Sequence, residues 1–315
     1  MPSTGAGQKR LFDTTWQLLR FMRKYWILYV LALPGILFFL VFRYIPLLGS
    51  AIAFQHFSIF KGITGSPWAG FDQFRRMFAF TDFLLILKNT LLISAYDLIF
   101  AFPVPIILAI LLNELRLVML KRFIQTALYL PHFLSWIVVG GMIIGLLSPS
   151  TGLVNELISL FGAEPVYFLG EPAFIRSIII GSGIWKESGW GMIVYLAAIA
   201  GIHPDLYESS QIDGAGCVRQ AFSITIPSIM PTIVILFLLH VGNFLDYGFE
   251  RVYIFLNPLN KGNAEIIDTY MYTAGLVGQQ YSYTTAIGLF KSVVGLALLM
   301  IGNTLSKKAT GSGLY

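Results

Sequence analysis

The side chains best placed to do chemistry in this sequence are polar groups embedded in apolar text, since a charge or amide removed from water is costly unless it meets a partner, a solute or trapped water. His240, Asn243, Asp246, Tyr247 and Glu250 follow one another at offsets of 0, 3, 6, 7 and 10. On one continuous helix that spacing gathers them along a single face. If Glu250 marks the outer end, Asp246 and Asn243 sit about 6 Å and about 10 Å below it. Lys291 reaches a similar depth of about 10 Å in the following apolar run, where it can pair with Asp246 or Glu250. Amide, carboxylate and aromatic ring on one stripe suit a hydroxyl-rich ligand, with hydrogen bonds to the planar polar groups and stacking on the ring. The alternative is a polar clamp between helices that meets no ligand. Asp97, Lys186 and Glu187 are further charges in apolar text, although neighbours in a helix do not share a face.

Other chemistries find little support. No G-x-x-x-x-G-K-[ST] phosphate loop occurs, so ATP hydrolysis is not expected of this chain. His56, His132, His203 and His240 are widely spaced, with no H-E-x-x-H or Cys/His cluster to hold a metal. His132, next to Pro131, reads as a polar residue at a kink. The single cysteine, Cys217, excludes an intramolecular disulfide framework, and no Ser-His-Asp context suggests a hydrolase.

The elements that must position these residues are set by composition. Of 315 residues 56% are hydrophobic and 12% charged, against roughly 25% charged in soluble proteins, so much of the exterior must face lipid. The expected fold is an all-α integral membrane protein with about six spans, near Trp26–Ile45, Asn89–Leu112, Phe123–Leu147, Ser177–Gly201, Ile226–Tyr247 and Thr284–Leu305. Phe123–Leu147 carries no Asp, Glu, Lys or Arg and is expected to cross as one helix. With both termini inside, Lys9, Arg10, Arg20, Arg23, Lys24, Arg116, Lys121, Arg122, Arg219, Lys307 and Lys308 are cytoplasmic. Arg43, Lys61, Arg75, Arg76, Arg176, Arg251 and Lys261 then fall on much longer outer loops. That asymmetry sets an N-in, C-in orientation. The domain reading is a basic cytoplasmic tail over 1–25, a membrane domain over 26–306 and a cytoplasmic tail over 307–315. The outer loop after the third span can hold a short amphipathic helix around Leu153–Phe161, and Tyr270, Tyr272, Tyr281 and Tyr283 suit an interfacial belt.

Residues 201–231 form a cytoplasmic loop too polar to face lipid. Pro204 and Asp205 suit a helix start, and Asp213-Gly214 a turn in which glycine takes positive φ. A helix over Pro204–Ile212 is therefore expected, then a second segment near Cys217–Ile226 leading through Pro227 and Pro231 into the fifth span.

Glu208-Ser209-Ser210, Asp213-Gly214-Ala215, Phe222, Ile226-Pro227 and Pro231 resemble the EAA loop of ATP-binding-cassette importer permeases, with Ser209 and Ser210 where alanines are usual. Tyr44-Ile45-Pro46, Ser66-Pro67-Trp68, the run Tyr129 to Trp136, the run Ser148 to Asn155 and Gly288 to Ser292 resemble the polysaccharide and lipooligosaccharide branch of the maltose-type permeases. The resemblance covers nearly all of the chain after residue 25. It implies that Tyr207, Glu208, Ser209, Ser210, Asp213, Gly214 and Ala215 dock on an ATPase. It also implies a second permease subunit in a heterodimer, two ATP-binding subunits holding the ATP and magnesium, an extracytoplasmic solute-binding protein, and a place in the bacterial inner membrane. The implied cargo is an oligosaccharide larger than a disaccharide, uronate-containing fragments of alginate or pectin included. No cofactor and no nucleic acid are expected on this chain. An ion-coupled secondary transporter is the alternative, although it normally shows more spans and internal repeats.

Overall fold

The computed structural model describes residues 23–310, which divide at Ala69–Gly70 into two compact units. Most of the basic tail, with Lys9, Arg10 and Arg20, and the last five residues lie outside the described residues.

The first unit is built on α1 (Trp26–Phe39), which continues through a wide turn at Leu40–Tyr44 as far as Phe54. Over Trp26–Phe39 the helix is apolar on all sides and buries none of its side chains in the chain, the pattern of a surface covered by lipid or by other chains. Beyond it the chain turns back so that His56 N–H donates to Pro67 O at 2.9 Å and Phe54 stacks on Trp68 at 5.7 Å.

The second unit, from Gly70 on, holds the site. Amphipathic α2 (Asp72–Ala79) precedes α3 (Thr81–Tyr96), a wide turn at Asp97–Ala101 and α4 (Pro103–Glu114). Pro103 and Pro105 remove two amide donors and crowd the preceding turn, and the ladder responds with a five-residue step from Phe102 N–H to Asp97 O at 3.1 Å. α3 and α4 still form one 34-residue helix.

The charge-free segment expected as one span, with a kink near Pro131, is broken there. α5 (Val118–Tyr129) passes through a tight turn at Leu130–Phe133 and meets α6 (Trp136–Leu146) at 103°. Pro131 favours the break, and the Ser135 hydroxyl restarts the helix by accepting from Val138 N–H at 3.3 Å. The amphipathic helix expected in the next loop is α7 (Leu153–Leu160).

α8 (Ile175–Ala200) has 26 residues, which give it a length of about 39 Å. It packs along α4, with Ala109, Leu112, Met192, Tyr195, Ile199 and Ile229 closing one core at that seam. A second core gathers Ile93, Ile179, Val252, Phe255 and Ile266, and a third Met77, Phe83, Ile86, Ile267 and Ile287.

α9 (Pro204–Ile212) has the bounds the sequence suggests. α10 (Cys217–Gln220) then runs through a wide turn at Ala221–Thr225 into α11 (Ile226–Gly242) as a single 26-residue helix. α12 (Phe249–Tyr253), α13 (Ile267–Tyr270) with its wide turn Met271–Val277, and α14 (Tyr281–Thr310) complete the unit.

The described chain is helical, with one isolated bridge between Gln55 and Trp68. Among the described residues four helices are long and apolar enough to cross a membrane: Trp26–Phe54, Thr81–Glu114, Cys217–Gly242 and Tyr281–Lys308. The bent pair makes a fifth if taken as one span. α8 is long enough as well, but Arg176, Lys186 and Glu187 lower its hydropathy.

Candidate translocation site and coupling loop

The wide turn before Pro103 presents Asp97, near the middle of the 34-residue helix, as the hub of a charged cluster. Arg251 Nη2 donates to Asp97 Oδ1 at 2.7 Å, the Tyr247 hydroxyl donates to the same oxygen at 3.2 Å, and His240 Nε2 lies 3.4 Å from Oδ2. The Arg251 guanidinium lies over the Tyr247 ring at 4.3 Å and near Trp136 at 5.8 Å. It fits there because residue 183 is glycine. A Cβ at that position would stand 1.8 Å from Arg251 Nη2.

Trp136 is shared with a second cluster at the 103° bend. Lys186 Nζ lies 5.4 Å from the Trp136 ring, donates to His132 O at 2.8 Å and pairs with Glu187 at 3.0 Å. The carboxylate of Glu187 also meets His132 Nδ1 at 2.7 Å, and the His132 ring stacks nearly parallel on Trp190 at 4.5 Å. Lysine thus satisfies a carbonyl freed by the broken helix, while histidine and glutamate tie that break to α8.

Between the clusters lies a cavity of 440 Å³ walled by the Asp97 turn, α4, α8, α11 and the turn after it. Its size falls in the roughly 300–1,000 Å³ range of small-molecule sites. Asp97, Glu187, His240, Asn243, Asp246 and Tyr247 all reach its surface.

The expected single-face stripe is therefore corrected in its geometry. α11 stops at Gly242, so Asn243, Asp246 and Tyr247 belong to a turn and Glu250 to the first turn of α12. Four of the six expected residues, His240, Asn243, Asp246 and Tyr247, still line one cavity, whereas Glu250 and Lys291 do not. Asn243 and Asp246 are exposed there, and the Asn243 amide donates to Leu239 O at 3.0 Å. Tyr247 is turned into the Asp97 cluster instead. Of the two carboxylates considered for Lys291, Asp246 is the partner, at 3.1 Å. Lys291 also bonds Asp268, a carboxylate the sequence reading passed over. Arg251, expected on an outer loop, reaches the mid-helix Asp97 from α12, which packs against α6 and α8. The signal for this pair was Asp97 itself, a carboxylate in an apolar run that required a cation.

The coupling loop forms an L. Gly214 adopts φ +76°, a conformation strained for any residue with a Cβ, and Ala215 N–H donates across the corner to Ser210 O at 2.9 Å. Gln220 Nε2 donates to the Ser210 hydroxyl at 2.8 Å, and Tyr207 OH meets Thr225 Oγ1 at 2.9 Å, which locks α9 against α10 and the wide turn beyond. Ser209 donates to Leu206 O at 3.2 Å. Glu208, Asp213, Leu206 and Ile212 are exposed, the last at 87%. Ser210, where the resemblance expects alanine, is thus a hydrogen-bonded corner of the L. The nearby Glu114 carboxylate pushes the Cys217 thiol above its ordinary range, which puts the end of α4 beside this loop.

A helical chain with helices long and apolar enough to cross a membrane, a cavity that mixes charged and apolar side chains, and an exposed L held by hydrogen bonds has the make-up of a membrane transport subunit. It belongs to the binding-protein-dependent transport system inner membrane component family, which matches residues 101–310, and is a permease subunit of an ABC importer. It is 49% identical over 288 residues to the polygalacturonan/rhamnogalacturonan transport system permease protein YteP of Bacillus subtilis (strain 168), covering 91% of this chain and 90% of that one. It is 29% identical to the arabinooligosaccharides transport system permease protein AraP of the same organism, over 90% of each. A crystal structure of a bacterial ABC transporter involved in import of the acidic polysaccharide alginate contains a chain of 41% identity and TM-score 0.87, with 93% of this chain and 99% of that chain covered. A bacterial alginate ABC transporter in complex with alginate pentasaccharide-bound periplasmic protein gives 41% and 0.88, over 95% and 100%.

Proposed function

We propose that this permease carries oligosaccharides across the bacterial cytoplasmic membrane as half of a heterodimeric channel. Two ATP-binding subunits, which hold the ATP and magnesium, dock on its coupling loop, and an extracytoplasmic solute-binding protein delivers the sugar. The chain has six spans with both termini inside, α8 being the span its charges disguise. The proximity of Cys217 to Glu114 supports this, since loops after the second and fourth spans meet when both lie on one side. Relatives named for polygalacturonan/rhamnogalacturonan and arabinooligosaccharides support a polymeric sugar as cargo.

The observation that carries the reading is the rigid connection between the L and the cavity. Cys217 to Gly242 is one helix of 26 residues, about 39 Å long, whose lower end is clasped by Ser210 and Tyr207 and whose upper end carries His240 against Asp97. When the ATPase dimer closes, movement of α9 tilts this lever and shifts His240 and the Asn243 turn against α3. The cavity is thereby opened to one side or the other. Leu206 and Ile212 supply the apolar contact with the ATPase and Glu208 its charge.

The test is purification of the tagged chain from native membranes. Stoichiometric recovery of ATP-binding subunits, with oligosaccharide uptake in reconstituted vesicles that requires ATP, is expected. A chain that purifies without an ATPase and drives uptake from an ion gradient contradicts the proposal.

A further inference from the structure

A second cavity, of 370 Å³, lies at the end of the bundle where α14 begins. Its wall carries Phe249, Tyr272, Tyr281, Thr285 and Asp268. Phe249, Tyr253 and Tyr272 pack into a platform, with ring centroids 4.6 Å, 4.8 Å and 5.3 Å apart. The platform is fixed from below, because Gly248 N–H donates to Asp268 Oδ2 at 3.2 Å and thereby holds the base of α12 against α13.

The two cavities share a wall. Asp246 lines the first, Asp268 lines the second, and Lys291 bonds both carboxylates. One ammonium shared between two carboxylates leaves carboxylate oxygens on each face able to accept from hydroxyl groups. Aromatic faces beside hydroxyl and carboxylate groups match the C–H faces and hydroxyl edges of a pyranose or furanose ring.

Resting on the importer reading above, we infer that the second cavity is an outer sugar subsite, and that the Asp246–Lys291–Asp268 bridge separates two successive positions of one oligosaccharide. The substrate is then a chain long enough to fill both positions at once, with its outer unit on the Phe249–Tyr272 platform and a unit further along beside Asn243. A disaccharide occupies one position only. The platform therefore reads chain length.

The test is uptake into vesicles holding the whole importer with its binding protein, using labelled oligogalacturonides and arabino-oligosaccharides from the disaccharide to the pentasaccharide. Loss of one stacking partner is expected to raise KM of the Tyr272→Leu variant for the tetrasaccharide about 3–10-fold, with the disaccharide within about 2-fold of wild type. Tyr272→Phe, which keeps the ring, should behave as wild type. Equal effects at all lengths, or no effect in Tyr272→Leu at matched assembly, overturn the subsite while leaving the importer reading intact. If Tyr272→Leu strips the second permease from the purified complex, the cavity is a subunit interface and the subsite is again overturned. Wild-type vesicles that take up neither sugar series overturn both readings.

Discussion

The side chains of the Asp97–Arg251 pair are 7% and 13% exposed. Replacing Asp97 with leucine leaves the guanidinium buried beside Trp136 and Tyr247 without its counter-charge, which costs about 3–5 kcal/mol. It also takes the acceptor from the Tyr247 hydroxyl, at about 1–3 kcal/mol. Arg251→Met strands the carboxylate at a similar about 3–5 kcal/mol, with Tyr247 and His240 still beside it. The double variant Asp97→Leu/Arg251→Met removes both charges, leaves the Tyr247 hydroxyl and the one-third exposed His240 ring without their carboxylate, and the loss falls to about 1–3 kcal/mol. The double variant is thus expected to be more stable than either single one, a coupling that charges distant from each other do not show. The assay is a denaturing-detergent titration of the purified importer, read beside the abundance of the chain in membranes. If the losses of the single variants add in the double variant, the pair is not a coupled buried unit and the account of the hub is wrong.

Further outcomes follow from the same geometry. Gly183→Ala should destabilise the chain by about 1–3 kcal/mol, because its Cβ would meet Arg251 Nη2 at 1.8 Å, and Arg251→Met in the same chain should relieve the defect in the same titration. Asn243→Ala should lower sugar uptake at unchanged membrane level and unchanged basal ATP hydrolysis, whereas Tyr247→Phe, which cannot donate to Asp97, should lower stability before it alters uptake. Burial pushes the Glu265 carboxyl above its ordinary 4.5, against the partly compensating Lys261. The folded chain then holds this proton more tightly than the unfolded one, so the group's contribution is most favourable at low pH and is lost as pH rises from 4.5 through the raised value. Glu265→Gln should flatten that part of the stability profile, as a thermal-unfolding series across pH would reveal.

Local signals carried well from sequence to structure, and long-range ones did not. The coupling loop was legible because Pro204 starts a helix and Asp213-Gly214 ends one, and both signals act over a few residues. The polar stripe was legible as a set but not as a shape. Its spacing fits one helix, yet α11 stops at Gly242 and the positive φ of Gly248 completes a turn that no proline announces. The break in the charge-free span had its proline at Pro131, but what stabilises the break, Lys186 on the His132 carbonyl, lies more than fifty residues away. The Asp97–Arg251 pair, 154 residues apart, and the Lys291–Asp268 bond are products of packing that a single sequence does not rank. Asp97 alone could be singled out, because a carboxylate in an apolar helix demands a partner.

In the proposed function the L-shaped loop is the point where ATP hydrolysis is converted into movement of α11. The most direct measurement is the ratio of sugar imported to ATP hydrolysed by the reconstituted importer carrying Glu208→Lys, an exposed reversal of charge that touches no core side chain. Uptake should fall at least about 10-fold while the chain stays inserted and the cavity variants' stability markers stay at wild-type values, as expected when a charged docking contact is made repulsive. Wild-type uptake and a wild-type ratio from a fully assembled Glu208→Lys complex would contradict it.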